Sequence, residues 1–127
     1  MISIKLQITP WHLAVCKLTE NKIPTWAEAS PFLNFTKTVS EFSLVCSAKD
    51  IPQNIQAEMD WRCLKIDGIL DFSLIGVIAH LTQILASKQI SVFVISTYDT
   101  DYILIKQEKF EEAIHLLKIE GYTFTEY

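Results

Sequence analysis

Glycine is scarce, at three in 127 residues, which excludes long flexible linkers. No glycine-rich phosphate loop is present and no Ser-His-Asp order emerges, so no catalytic residue is expected. No long block of like charges occurs, and the formal net charge is −4. The basic footprint of a nucleic-acid binder is therefore missing. An acidic chain also has little attraction to anionic lipid. No apolar run approaches the ~20 residues of a membrane span. The start, Met1 to Leu6, holds one lysine and reads as no targeting segment. A cytoplasmic protein is expected.

Cysteine is limited to Cys16, Cys46 and Cys63, an odd count with no CxxC pair. They read as free thiols packed as small hydrophobes in a reducing compartment. A metal site would need His12, His80 or His115 to converge with them, and no ligand spacing supports that. Neither metal nor cofactor is expected. What the chain does have is apolar bulk. Half of it is hydrophobic and 20% is charged, which suits one domain or two small units with a real core.

The second half carries the clearest periodicity. Arg62 to Gly68 alternates, with Leu64 and Ile66 on one face, as in a half-buried strand. Asp71 reads as an N-cap for a helix in which Leu74, Ile78, Leu81 and Leu85 form the stripe, widened by Ile75, Val77 and Ile84. Gly76 falls inside that helix, where close packing on a sheet would justify it. Ile90 to Thr97 and Tyr102 to Lys106 form a hairpin about Tyr98-Asp99-Thr100. A helix over about Glu108 to Glu120 buries Phe110, Ala113, Ile114 and Leu117, and Gly121 closes it as C′. Tyr122 to Thr125 is a last strand. The order is βαββαβ, ferredoxin-like and α+β.

The first half repeats this order less cleanly. Trp11 to Leu18 is a strand, Trp26 to Ala29 one helical turn, and Phe32 to Thr38 with Phe42 to Ser47 a hairpin. Asp50 and Gln53 make a capping-box-like start for a helix to about Met59, with Pro52 in its first turn. Two units side by side are expected, with antiparallel sheets and helices on one face. Residues 1–60 form the first, whose first helix is reduced, and 61–127 the second. An RNA-recognition domain shares the βαββαβ order but needs exposed aromatic and basic residues on its third strand, which Asp101 to Lys106 does not supply.

Two runs carry a family resemblance. Trp61-Arg-Cys-Leu-Lys-Ile-Asp-Gly-Ile-Leu-Asp-Phe-Ser-Leu-Ile-Gly76 and Ile95-Ser-Thr-Tyr-Asp-Thr-Asp-Tyr-Ile-Leu-Ile105 resemble small bacterial ACT-domain proteins with two ACT units. Those are similar to the CASTOR arginine sensors and to aspartokinase regulatory tails. Ile8-Thr-Pro-Trp-His-Leu-Ala-Val-Cys16 extends the resemblance weakly into the first half. Many members of the group have proline where this chain has Ile69.

The resemblance implies a non-catalytic regulatory or sensor protein that binds an amino acid between paired units. The implied contacts are Gly68, Leu70, Asp71, Phe72, Ser73 and Leu74 in the first strand-to-helix loop, and Ser96, Thr97, Tyr98, Asp99 and Asp101 in the hairpin. The residue chemistry is compatible with that. Amides at a helix start suit a carboxylate, and paired aspartates suit an ammonium or guanidinium group. Bland readings stand beside each assignment. Asp71 serves equally as a plain cap, Asp99 as an ordinary turn residue, Ser73, Ser96 and His80 as solvated surface, and the three tryptophans as core plugs. Asp101 is harder to dismiss, because a carboxylate entering an apolar strand needs a partner. The expected partners are an amino acid or similar zwitterion and a second copy of the chain. The rival reading is a dimerisation or interaction module with a degenerate pocket and no ligand.

Overall fold

The computed structural model describes residues 4–67 and 76–127. The chain divides into two units, one of residues 11–61 and the other of residues 1–10 with 62–127. Strands β1 (Lys5–Leu18) and β4 (Gln56–Asp67) are long enough to contribute residues to both.

In the 11–61 unit, β1 pairs antiparallel with β3 (Phe42–Ser47), Leu13 opposite Ser47 and Leu18 opposite Phe42. Strand β2 (Asn34–Lys37) pairs with the other side of β3, Asn34 opposite Val45. The Thr38 hydroxyl closes this hairpin by accepting from the amides of Ser40 and Glu41. Ala14, Cys16, Leu18, Ala27, Leu44 and Cys46 form the core, with Trp26, Leu33 and Phe35 packed against it. The expected short helical turn is a 3₁₀ turn at Thr25–Ala27.

The helix expected from Asp50 to Met59 is absent. A second 3₁₀ turn, Ala48–Asp50, ends at Ile51, whose φ of −79° and ψ of 124° are extended. The proline that appeared to favour a helix prevents it. A residue preceding proline is driven out of the helical region, and Ile51 precedes Pro52. From Gln56 the chain is already β4. Among the described residues this unit holds no α-helix.

In the other unit the elements after β4 are α1 (Val77–Ala86), β5 (Val92–Ser96), β6 (Asp101–Lys106), α2 (Gln107–Ile119) and β7 (Thr123–Glu126). The strand order is β7-β1-β4-β6-β5. The start of β1 was not expected here. It runs parallel to β7, with Lys5 opposite Thr123 and Ile8 opposite Glu126, so the sheet is not purely antiparallel. Leu6, Leu64, Ile66, Ile103 and Ile105 meet Val77, Leu81 and Leu85 of α1 and Phe110, Ala113, Ile114 and Leu117 of α2 in one core. The buried stripe of α2 is the one its spacing predicts.

Gly76 has a different role from the expected one. It is the N-cap of α1, at φ 88° and ψ 3°, rather than an interior residue. A Cβ built there meets no atom within 4 Å among the described residues, so helix–sheet contact does not explain the glycine. Its left-handed backbone does.

Candidate functional site

The hairpin between β5 and β6 is held by two threonines that flank its tip. Ser96 stands opposite Asp101 in the register. The Thr97 amide donates to the Thr100 carbonyl at 2.8 Å, and the Thr97 hydroxyl accepts from the Thr100 amide at 3.3 Å. Thr100 is one of two buried polar residues among those described, and its hydroxyl donates to the Ile66 carbonyl at 2.7 Å. That bond fixes the turn against the last residues of β4. The exit of β4 and the hairpin tip therefore lie at one end of the unit. Sequence reading missed Thr100, although a hydroxyl between a polar turn and an apolar strand is a position where a buried donor is useful.

Tyr98 and Asp99 are exposed at the tip, as are Ser96 and Thr97. Asp101 is half-buried. Strand alternation puts it on the face of Ile103 and Ile105, toward the core shared with the helices. Helix α1 starts without a side-chain cap, so the first-turn amides of Val77 onward have no side-chain acceptor from the cap residue. Gly68, Leu70, Asp71, Phe72, Ser73 and Leu74 lie outside the described residues.

Three further arrangements were not anticipated. His80 is exposed, as expected, but its Nδ1 lies 2.8 Å from the Tyr122 hydroxyl, with the two rings stacked 5.9 Å apart. Burial, then the nearby Glu120, pushes the Tyr122 phenol above its ordinary value. The Arg62 guanidinium lies 4.4 Å from the Phe110 ring centroid and donates to the Thr9 carbonyl at 3.3 Å. The Thr9 hydroxyl is buried and donates to the Cys63 carbonyl at 2.9 Å. Burial raises the Cys63 thiol to about 12, despite an opposing hydrogen bond from Thr9. Among the described residues no group of three or more His, Cys, Asp and Glu is placed to hold a metal. No described helix is long and apolar enough to cross a membrane.

This α+β architecture has known relatives. Residues 56–118 match the family model of the ACT domain, and residues 12–54 match a model described as an N-terminal domain. A crystal structure of a protein from Agobacterium tumefaciens is 30% identical, with a TM-score of 0.92, over 100% of this chain and 96% of that one. Over residues 56–118 the chain is thus a relative of the ACT domain. A Vibrio cholerae protein described as of unknown function and possibly a transport protein is 20% identical, with a TM-score of 0.75, covering 91% of this chain and 88% of that one. The ligand-free regulatory subunit of aspartate kinase from Thermus thermophilus is 15% identical, with a TM-score of 0.61, covering 89% of this chain and 95% of that one. The last two likenesses concern the fold alone.

Proposed function

We propose that the protein is a non-catalytic, cytoplasmic regulatory module that binds an amino acid or a similar zwitterion. In this reading both units are ACT-like, in the βαββαβ manner for the one that holds α1 and α2 and in a helix-poor form for the other. The observation that carries it is the Thr100–Ile66 bond. It holds a hairpin bearing Asp99 and Asp101 at the end of the unit where β4 exits. A cationic group would meet Asp101, with Asp99 a weaker contributor. A carboxylate would meet amides of the 68–75 segment or the uncapped first turn of α1. Gly68, Leu70, Asp71, Phe72, Ser73, Leu74, Ser96, Thr97 and Tyr98 complete the proposed contact set.

The protein would act as a homodimer. Strand β5 stands at a sheet edge, and Val92–Ser96 carries no charge, proline or glycine to discourage pairing. Sedimentation at micromolar concentration should show a dimer. The function is tested by a thermal-shift screen of the proteinogenic amino acids. A ligand that binds only the native state raises the melting temperature by mass action. No shift with any amino acid at millimolar concentration would sink the sensor reading and leave the pairing module.

A further inference from the structure

Cys16 of β1 and Cys46 of β3 sit on one face of the 11–61 unit. Ala14 is opposite Cys46 and Cys16 is opposite Leu44, so the two thiols are diagonal neighbours. Both are buried in the core of that unit. Diagonal placement on one face puts their side chains within reach of each other. Interaction with the Cys46 thiol draws Cys16 below the ordinary thiol value against the opposing effect of burial. The same interaction, burial and the nearby charges of Cys16 and Asp50 push Cys46 up. Two buried thiols are thus held side by side, Cys16 the more readily ionised of the two. A cavity of about 220 Å³ borders Cys16. Cys63 differs. It belongs to the other unit, and its thiol lies 3.7 Å from the Leu64 carbonyl.

We propose that Cys16 and Cys46 form a redox pair that closes to an intramolecular disulfide when hydrogen peroxide reaches the unit. The Cys16 thiolate attacks one peroxide oxygen, and the O–O bond breaks. Hydroxide leaves and is protonated to water by the proton that Cys16 released to solvent on ionising, which leaves a sulfenic acid on Cys16. The Cys46 sulfur then attacks the Cys16 sulfur, and the S–O bond breaks. The second water departs with the Cys46 proton. Overall, two thiols and one peroxide become one disulfide and two waters, and the two electrons lost by sulfur reduce the peroxide. Burial favours an oxidant this small over a bulky disulfide. Diagonal neighbours start farther apart than the 3.5–4.5 Å that bridged Cβ atoms adopt. Closure therefore draws β1 and β3 together, and a bond made under that constraint is readily reduced.

The full chain is treated with hydrogen peroxide and denatured under acid. Free thiols are then titrated and the cysteine peptides mapped by mass. The expected result is a fall from three free thiols to one, a peptide joining Cys16 to Cys46, Cys63 still free, and reversal by dithiothreitol. The Cys63→Ser variant should form the same link and end with no free thiol. Three thiols surviving, a link through Cys63, or sulfinic acid on Cys16 with no bridge would each overturn the proposal. None of these outcomes depends on whether an amino acid binds.

Discussion

Gln89 and Gly121 occupy the same position beyond the two helices, each with a left-handed backbone, at φ 59° and 99°. After α1 the Gln89 amide donates to Ala86 and the Ile90 amide to Leu85. After α2 the Gly121 amide donates to Lys118 and the Tyr122 amide to Leu117. Both ends are Schellman motifs, closed by a buried residue, Ile90 or Tyr122. Only one carries the residue that tolerates this backbone without strain. Gln89→Gly should therefore stabilise the protein by about 0.5–1 kcal/mol, and Gly121→Ala should destabilise it by about 1–2 kcal/mol. Urea unfolding measures both.

Gly76 permits a similar separation of causes. Its φ of 88° penalises any side chain, while no atom of the described residues crowds its Cβ position. Gly76→Ala and Gly76→Leu should lose about the same stability, roughly 1–2 kcal/mol, in chemical denaturation. A much larger loss for leucine would show crowding rather than backbone strain.

Thr100→Val keeps the shape and removes the hydroxyl that satisfies the Ile66 carbonyl. Leaving that buried group unpaired should cost about 1–3 kcal/mol. Thr100→Ser should retain most of the stability. Faster amide exchange confined to β5 and β6 in the valine variant would locate the effect at the hairpin.

Asp101→Asn removes a charge at nearly constant size, so folding should survive. Affinity for an amino acid found by thermal shift should weaken by about 1.5–3 kcal/mol in calorimetry, and Asp99→Asn should cost less. Equal affinity for wild type and Asp101→Asn would place the cation contact elsewhere.

Alkaline pH should weaken the fold. Burial lifts the folded Cys63 thiol from 9.0 to about 12, so over that interval the unfolded chain has released a proton that the native state retains. Stability from this group is complete below pH 9.0 and is lost as pH rises toward about 12. Tyr122, also raised by burial, acts in the same direction. Urea midpoints measured upward from neutral pH should fall, and Cys63→Ala should flatten the decline.

The helical and strand periodicity of the C-terminal half was legible because its pattern is local. The α2 stripe Phe110, Ala113, Ile114 and Leu117 needs only 3.6-residue spacing to be seen. The Asp50 helix failed because two local rules conflicted, and the conformation that Pro52 demands of Ile51 outweighed the capping pattern. Gly76 was misread because glycine spacing does not distinguish a tight contact from a left-handed backbone. Thr100 and the parallel pairing of Lys5–Ile8 with β7 were invisible for another reason. Each depends on a partner far away in sequence, Ile66 in one case and Thr123–Glu126 in the other.

That parallel pairing also bears on how the molecule is made. Lys5 to Ile8 leave the ribosome long before their partner strand β7, Thr123 to Glu126. During synthesis the 11–61 unit can pair its strands while this early segment still lacks β7. Contacts so distant in sequence slow folding, because the intervening loop must be ordered before the pairing repays it. A fragment of residues 62–127 alone would lack the strand on which β7 rests. Its missing piece could then be supplied in trans by a peptide of the first ten residues.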